Sequence, residues 1–407
     1  MKVLGPVLTV LLALPLLAGC GSDAPPPIDD GTFRPVVELG RHRVTLLDTR
    51  QVVPSAGLPS EVTPQASNNN VDVIRHEGRV YMAWRTAPDH FAGPDTIMYV
   101  VSSSDELSWR YEAEFALGTD VREPRFLAVD GTLFLYMSVL GVSELEFMPM
   151  GVRYATLPPG GSWSGLSELY GDDTLVWRPT TVPDGRHFMT AYNGGENIYT
   201  FSGDPLQIHF RTSTDGINWT PVGSGDSVVY EGGGSETAYA LADDGDLFAV
   251  IRVEATDALG LGSRVCRADR DDLGSWTCNT DFKKYDSPHM FAYDREIYLV
   301  ARRNVTETGY FGGEGLGNST VAGLRYVTTP KRCSLWRIVQ DELRVAYITD
   351  LPSNGDTCFP SVIEGSEPGE FVVYDYSSDP DGPQLNWRPG QLGPTQLYRH
   401  VLQFRRR

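Results

Sequence analysis

Apolar and polar residues alternate along this chain in short runs, and the runs come in pairs joined by turn-forming residues. In Ile208 to Pro221, IHFRTSTDGINWTP, the apolar side of Ile208, Phe210 and Thr212 marks one strand. Ser213, Asp215 and Gly216 mark a tight turn, and Trp219 opens the returning strand. Ser and Asp side chains accept from the turn's own N–H groups while Gly216 takes the left-handed dihedral, so this hairpin closes by itself. Ser103, Asp105 and Trp109 repeat the spacing, and Asp272 and Trp276 repeat its last two members. With Trp163, Trp336 and Trp387 the tryptophans recur every 54, 56, 57, 60 and 51 residues. A second series of turn pairs, Glu77-Gly78, Asp130-Gly131, Asp184-Gly185, Asp244-Gly245, Asp294-Arg295 and Glu364-Gly365, sits between alternating apolar runs. Two hairpins per repeat make four strands, and six repeats predict an all-β, six-bladed β-propeller.

Closing such a ring needs a strand from the other end of the chain. The last repeat offers strands near Phe359 to Ile363, Phe371 to Tyr376 and Gln396 to Phe404 but no fourth, while Arg41 to Val53 belongs to no repeat. That segment is expected to complete the last blade, which removes exposed sheet edges. A radial repeat grows without a second core, so residues 38–407 read as one domain.

Before it, residues 1–19 carry one Lys and a short apolar run, the pattern of a secretory signal. Leu17-Ala18-Gly19-Cys20 resembles the lipobox of bacterial lipoproteins, which implies cleavage before Cys20, acylation of that residue and a lipid anchor in the cell envelope. Residues 20–37, rich in Pro and Asp, read as a flexible tether. Four further cysteines in an exported chain predict disulfides: Cys266 and Cys278 flank the Asp272 to Trp276 turn, leaving Cys333 to Cys358. No Cys-x-x-Cys spacing or His cluster suggests a metal, and no cofactor is expected. The net charge of -19 argues against nucleic acid as a partner. The expected form is an extracytoplasmic monomer.

In a propeller the first strand of each blade lines the central channel, so polar residues at the start of those strands converge. Here they are Asn68 to Asn70, Arg122-Glu123-Pro124-Arg125, Trp177-Arg178-Pro179, Ser235-Glu236-Thr237, Ser287-Pro288-His289 and Asp356 to Phe359. Together they predict a site for a glycan or other polar ligand.

The hairpin words resemble the Asp boxes of sialidases, six-bladed propellers that cleave terminal sialic acids from glycans. That family uses three arginines on the substrate carboxylate, an Asp acid/base, and a Tyr nucleophile assisted by a Glu. Carried onto this chain, the resemblance assigns the Glu to Glu236, the second and third arginines to Arg252 and Arg332, and the acid/base to Asp89, with Asp95 as second choice. Two positions depart: Asn68 to Asn70 stand where the first arginine belongs, and Phe359 stands in the place of the nucleophile. Phenylalanine has no hydroxyl to attack an anomeric carbon. The remaining cup of Arg122, Arg125, Arg178, Arg252, Glu123, Glu236 and His289 suits a two-carboxylate glycoside hydrolysis by Glu123 and Glu236. The alternatives are a non-catalytic propeller that binds glycan or protein, and a five-bladed glycosidase, suggested by the likeness of Arg122-Glu123-Pro124 to the Arg-Asp-Pro of those families.

Overall fold

The computed structural model describes residues 35–143, 147–194, 205–254, 262–306, 309 and 319–407, with 319–322 described by their backbone alone. The signal segment and Cys20 lie outside the described residues. Among the described residues six antiparallel sheets form the six blades of a propeller. The strands that begin the blades are Ser67–His76, Asp120–Val129, Thr174–Thr181, Gly234–Leu241, Asp286–Tyr293 and Ser361–Glu364. They line the central channel.

Five blades have four strands, and the third has five, because Leu206–Ser213 pairs with both Thr220–Pro221 and Val228–Gly232. The ring closes as expected: His42–Val53 pairs antiparallel with Gln396–Arg406, from His42 opposite Arg406 to Val53 opposite Leu397. The first and last parts of the chain therefore share one blade, and Val52 and Val53 are buried in the core.

The hairpin chemistry is local. At Glu77-Gly78 (φ 47° and 74°) and Asp130-Gly131 (φ 48° and 79°) both turn residues are left-handed, the twist that matches antiparallel strands. In the turn before Trp219, Ser213 Oγ accepts from the Asp215 and Gly216 N–H groups at 3.2 and 3.0 Å, and Asp215 Oδ1 accepts from Ile217 and Asn218 at 2.9 and 2.7 Å. The same bonds recur around Ser103 and Asp105. The N–H bonds from Ser108 and Leu107 pull the Asp105 carboxyl down to about 2.

The tryptophan series is only partly a series of hairpin latches. Trp336 lies within the strand Lys331–Val339, its ring 5.1 Å from Tyr285, and Trp387 begins a short helix, Trp387–Gln391. Blades of similar length keep the spacing even where the indole occupies another place in the blade. Among the described residues two helices, Ser319–Thr328 and Trp387–Gln391, interrupt the β-strands. No helix among the described residues is long and apolar enough to cross a membrane.

Both expected disulfides are present, Cys266–Cys278 and Cys333–Cys358. Cys266 and Cys278 stand directly opposite in the fourth blade. Cys333, in the fifth blade, reaches Cys358 at the entry to the sixth. Such bonds persist in oxidising compartments.

Starting the chain at Pro54 removes the closing strand and exposes the ladder edge of Gln396–Arg406. Limited proteolysis should then cut first in the sixth blade, between residues 361 and 406, at concentrations that leave the longer chain intact. Equal resistance of the two chains would show that closure by this strand contributes nothing.

Candidate functional site

Five of the six inner strands slip register at the same height, between Asn69 and Asp72, Arg122 and Arg125, Val176 and Arg178, Gly234 and Thr237, and Asp286 and His289. Asn70, Glu123 and Ser287 adopt left-handed backbone there (φ 48°, 56° and 49°), as does Cys358 (φ 75°) ahead of the sixth inner strand. A left-handed L-residue costs roughly 1–2 kcal/mol, and a bulge re-aims the side chain it carries. At four of these bulges Asn70, Glu123, Glu236 and Ser287 line the upper mouth, where the inner strands begin. Residues beyond the bulges face the lower mouth.

This splits the set expected from the sequence. Glu123, Arg122, Glu236 and Arg252 line an upper cup of about 360 Å³, at the small end of the roughly 300–1,000 Å³ typical of ligand sites. Arg178 and His289 line a separate cavity at the lower mouth. Arg125 lies between the two, 1% exposed, its guanidinium 4.2 Å from the ring centres of both Trp177 and Phe359. Phe359, in the expected nucleophile position, thus covers a cation and lines the cup with its ring. Asp89 turns back on its own loop, accepting from the Phe91 N–H at 2.8 Å, and Asp95 is exposed; neither lines the cup. Arg332 donates to the Lys331 carbonyl at 2.9 Å and is also absent from the lining.

At the centre is an ion-pair network. Arg252 Nη1 lies 2.7 Å from Glu236 Oε1, and its Nε lies 2.5 Å from Glu254 and 3.1 Å from Asp286. Glu236 also accepts from the Ser287 N–H at 2.7 Å, a bond that the left-handed Ser287 makes available. Lys284 adds a second cation, 3.3 Å from Asp286 and 3.6 Å from Glu254. Glu123 hangs beside this network and accepts from Ser138 Oγ at 3.2 Å. Burial, then the negative charge of Glu236, push its carboxyl up to about 7.

Several cup residues were not anticipated. Arg302 lines the cup and donates to the Thr357 and Cys358 carbonyls at 2.7 and 3.3 Å and to the hydroxyls of Ser287 and Tyr326 at 3.3 Å each. Its position was legible: Arg252 stands seven residues beyond Gly245, and Arg302 seven beyond Arg295, the equivalent turn positions of two successive blades. His90, on the loop expected to carry the acid, meets Asp356 at 2.6 Å. Asp356 also accepts from Tyr376 Oη and Trp387 Nε1, both at 3.0 Å. Helix Ser319–Thr328 inserts Tyr326, whose hydroxyl bonds Asp286. Burial and these carboxylate neighbours raise Tyr326 and Tyr376 well above the usual phenol value, so each phenol keeps its proton.

The sequence matches no known family profile, and no curated protein matches it. Solved structures do resemble it. A protein of unknown function from Dyadobacter fermentans superposes with a TM-score of 0.60 at 15% identity, covering 89% of this chain and 99% of that one. The phage phi92 endosialidase gives 0.56 at 13% identity, with 90% and 70% covered. Trypanosoma rangeli sialidase gives 0.55 at 11%, with 88% and 59% covered. The fold is therefore the six-bladed propeller of the sialidase type.

Two outcomes test this geometry. Arg252→Ala leaves Glu236, Glu254 and Asp286 short of a cation, and breaking a buried pair in this way costs about 3–5 kcal/mol, to be read by urea denaturation. A loss under about 1 kcal/mol would mean that the carboxylates are satisfied elsewhere. For Glu123, the folded chain holds the proton more tightly than the unfolded chain. Its contribution is full below the ordinary carboxylate value and is lost as pH rises through about 7. The melting temperature of Glu123→Gln relative to the parent should therefore climb from pH 5 to pH 8; a flat difference contradicts the raised value.

Proposed function

We propose that the upper cup binds and hydrolyses a glycan by a two-carboxylate mechanism, with Glu123 as general acid and Glu236 as the partner carboxylate. The observation that carries this reading is the pair itself: two glutamates in one cup, one pushed up to about 7 by burial and by the charge of the other. Divergent environments for paired carboxyls are how one site holds both an acid and a base at neutral pH. In this scheme Glu123 protonates the departing glycosidic oxygen. Glu236, oriented by Arg252 and the Ser287 N–H, takes a proton from the water whose oxygen bonds the anomeric carbon as the glycosidic bond breaks.

A tyrosine nucleophile of the sialidase kind has no counterpart in this proposal. Phe359 lacks the hydroxyl, and Tyr326 and Tyr376 keep their protons. The rings of Phe91, Phe147, Phe359 and Trp387 offer apolar faces on which a sugar ring can rest. Arg122, Arg252 and Arg302 give the cup three guanidiniums, which favours an acidic sugar over a neutral one. We place the protein outside the cytoplasm, tethered by a lipid on Cys20, where such glycans are met; the disulfides support an oxidising compartment.

The test is a screen of the soluble chain on glycan arrays and on chromogenic glycosides of acidic and neutral sugars. Turnover should be found on an acidic-sugar substrate and fall by roughly 10²–10⁴-fold in Glu123→Gln, the usual contribution of a positioned acid. Binding without turnover, unchanged in Glu123→Gln and Glu236→Gln, would instead assign the cup to recognition alone.

A further inference from the structure

The lower mouth of the channel holds a second arrangement that the cup does not use. A cavity of about 570 Å³ opens there, with Asp72, Arg178, Tyr239, His289 and Ser361 among its walls. Arg178 is 7% exposed and spends one nitrogen on Asp72, Nη1 to Oδ1 at 3.2 Å. Among the described residues its Nε and Nη2 have no hydrogen-bond partner, and neither has any nitrogen of Arg125 just above it. Nε and Nη2 form the side of the guanidinium that grips a planar or tetrahedral oxyanion with two parallel bonds.

The donors outnumber the acceptors that reach them. Asp72 is the acid that faces both arginines, at 3.2 Å from Arg178 and 4.0 Å from Arg125. It is already committed, accepting from the Phe126 N–H and Ser361 Oγ at 2.7 Å each. Burial and the neighbouring Arg178 push Arg125 down to about 9, which leaves it charged at neutral pH. His289 is held neutral by burial and by the two arginines, and its Nδ1 bonds the Pro360 carbonyl at 3.3 Å. Glu123 and Glu236 act on Arg125 from the cup side, and the Nε and Nη2 donors of Arg178 are still left unmade; such buried donors cost on the order of 1–3 kcal/mol or more each.

We propose that the lower cavity binds a small oxyanion, a carboxylate, sulfate or phosphate group, on the Nε/Nη2 side of Arg178 with Arg125 supplying the second positive charge. The site is distinct from the cup and independent of what the cup does. Its position under the Arg125 layer makes the anion a brace across the inner strands of the first, second, third and fifth blades.

Titration of the purified chain with sulfate, phosphate and acetate against chloride, at fixed ionic strength, tests this by calorimetry and melting temperature. At least one oxyanion should bind with 1:1 stoichiometry and raise the melting temperature. Arg178→Lys, which keeps the charge and loses the two-pronged edge, should weaken binding at least tenfold, while Arg110→Lys on an exposed outer strand should leave it unchanged. Crystals soaked in selenate provide a readout that needs no variant to fold: an anomalous peak should lie within hydrogen-bonding distance of Arg178 Nε and Nη2. Absence of that peak, or equal affinity in Arg178→Lys, would overturn the assignment.

Discussion

A single guanidinium at the axis organises this molecule. Arg125 lies buried between the faces of Trp177 and Phe359, above the carboxylate of Asp72, and divides the channel into an upper cup and a lower cavity. Cation–π contact with two rings offsets part of the desolvation cost of a charge that has 1% exposure. The clamp draws together side chains from the second, third and sixth blades, so it links parts of the ring far apart in sequence. Because Phe359 is spent on this contact, the position where the sequence resemblance led us to expect a nucleophile holds a wall instead.

The bulges turn that layered axis into chemistry. One extra residue in an inner strand moves a side chain from one mouth to the other, and the left-handed backbone at Asn70, Glu123 and Ser287 is the conformational cost of doing so. At Glu123 the result is a carboxyl crowded against the Glu236 network. At Ser287 it is an N–H turned onto Glu236 itself. At the same end of the fifth blade, Lys331 wraps its ammonium around the end of helix Ser319–Thr328, donating to the Tyr326 and Thr329 carbonyls at 2.5 and 3.2 Å, and so fixes Tyr326 against Asp286. The network around Arg252 is thereby supported by the fifth blade as well as from its own.

Much of the architecture was legible in the order of residues because its causes are local. Turn pairs such as Asp130-Gly131 and the Ser213 to Trp219 unit carry their own hydrogen bonds, so their recurrence revealed the blades and the count of six. The unmatched strand His42–Val53 was legible for the complementary reason that the last repeat was a strand short. The site was harder, because which mouth a residue faces depends on a bulge, and bulges leave no periodic trace. His289 therefore joins the lower cavity although Ser287, two residues before it, lines the cup, and Arg178 joins that cavity from a blade whose inner strand sends no residue to the cup. Tyr326 and Trp387 come from helices with no sequence pattern to announce them, and Arg302 needed the turn offsets of two blades to be compared.

Glu123 stays a carboxylic acid near neutral pH because burial, and after it the negative charge of Glu236, disfavour its anion. Difference infrared spectroscopy of the carboxyl C=O stretch, parent against Glu123→Gln across pH 5 to 9, reads that proton directly. A band present in the parent, absent in the variant and titrating with a midpoint near 7, which moves down when Glu236 is replaced by Gln, is the predicted result. A spectrum in which every carboxyl has lost its proton by pH 5.5 would contradict it.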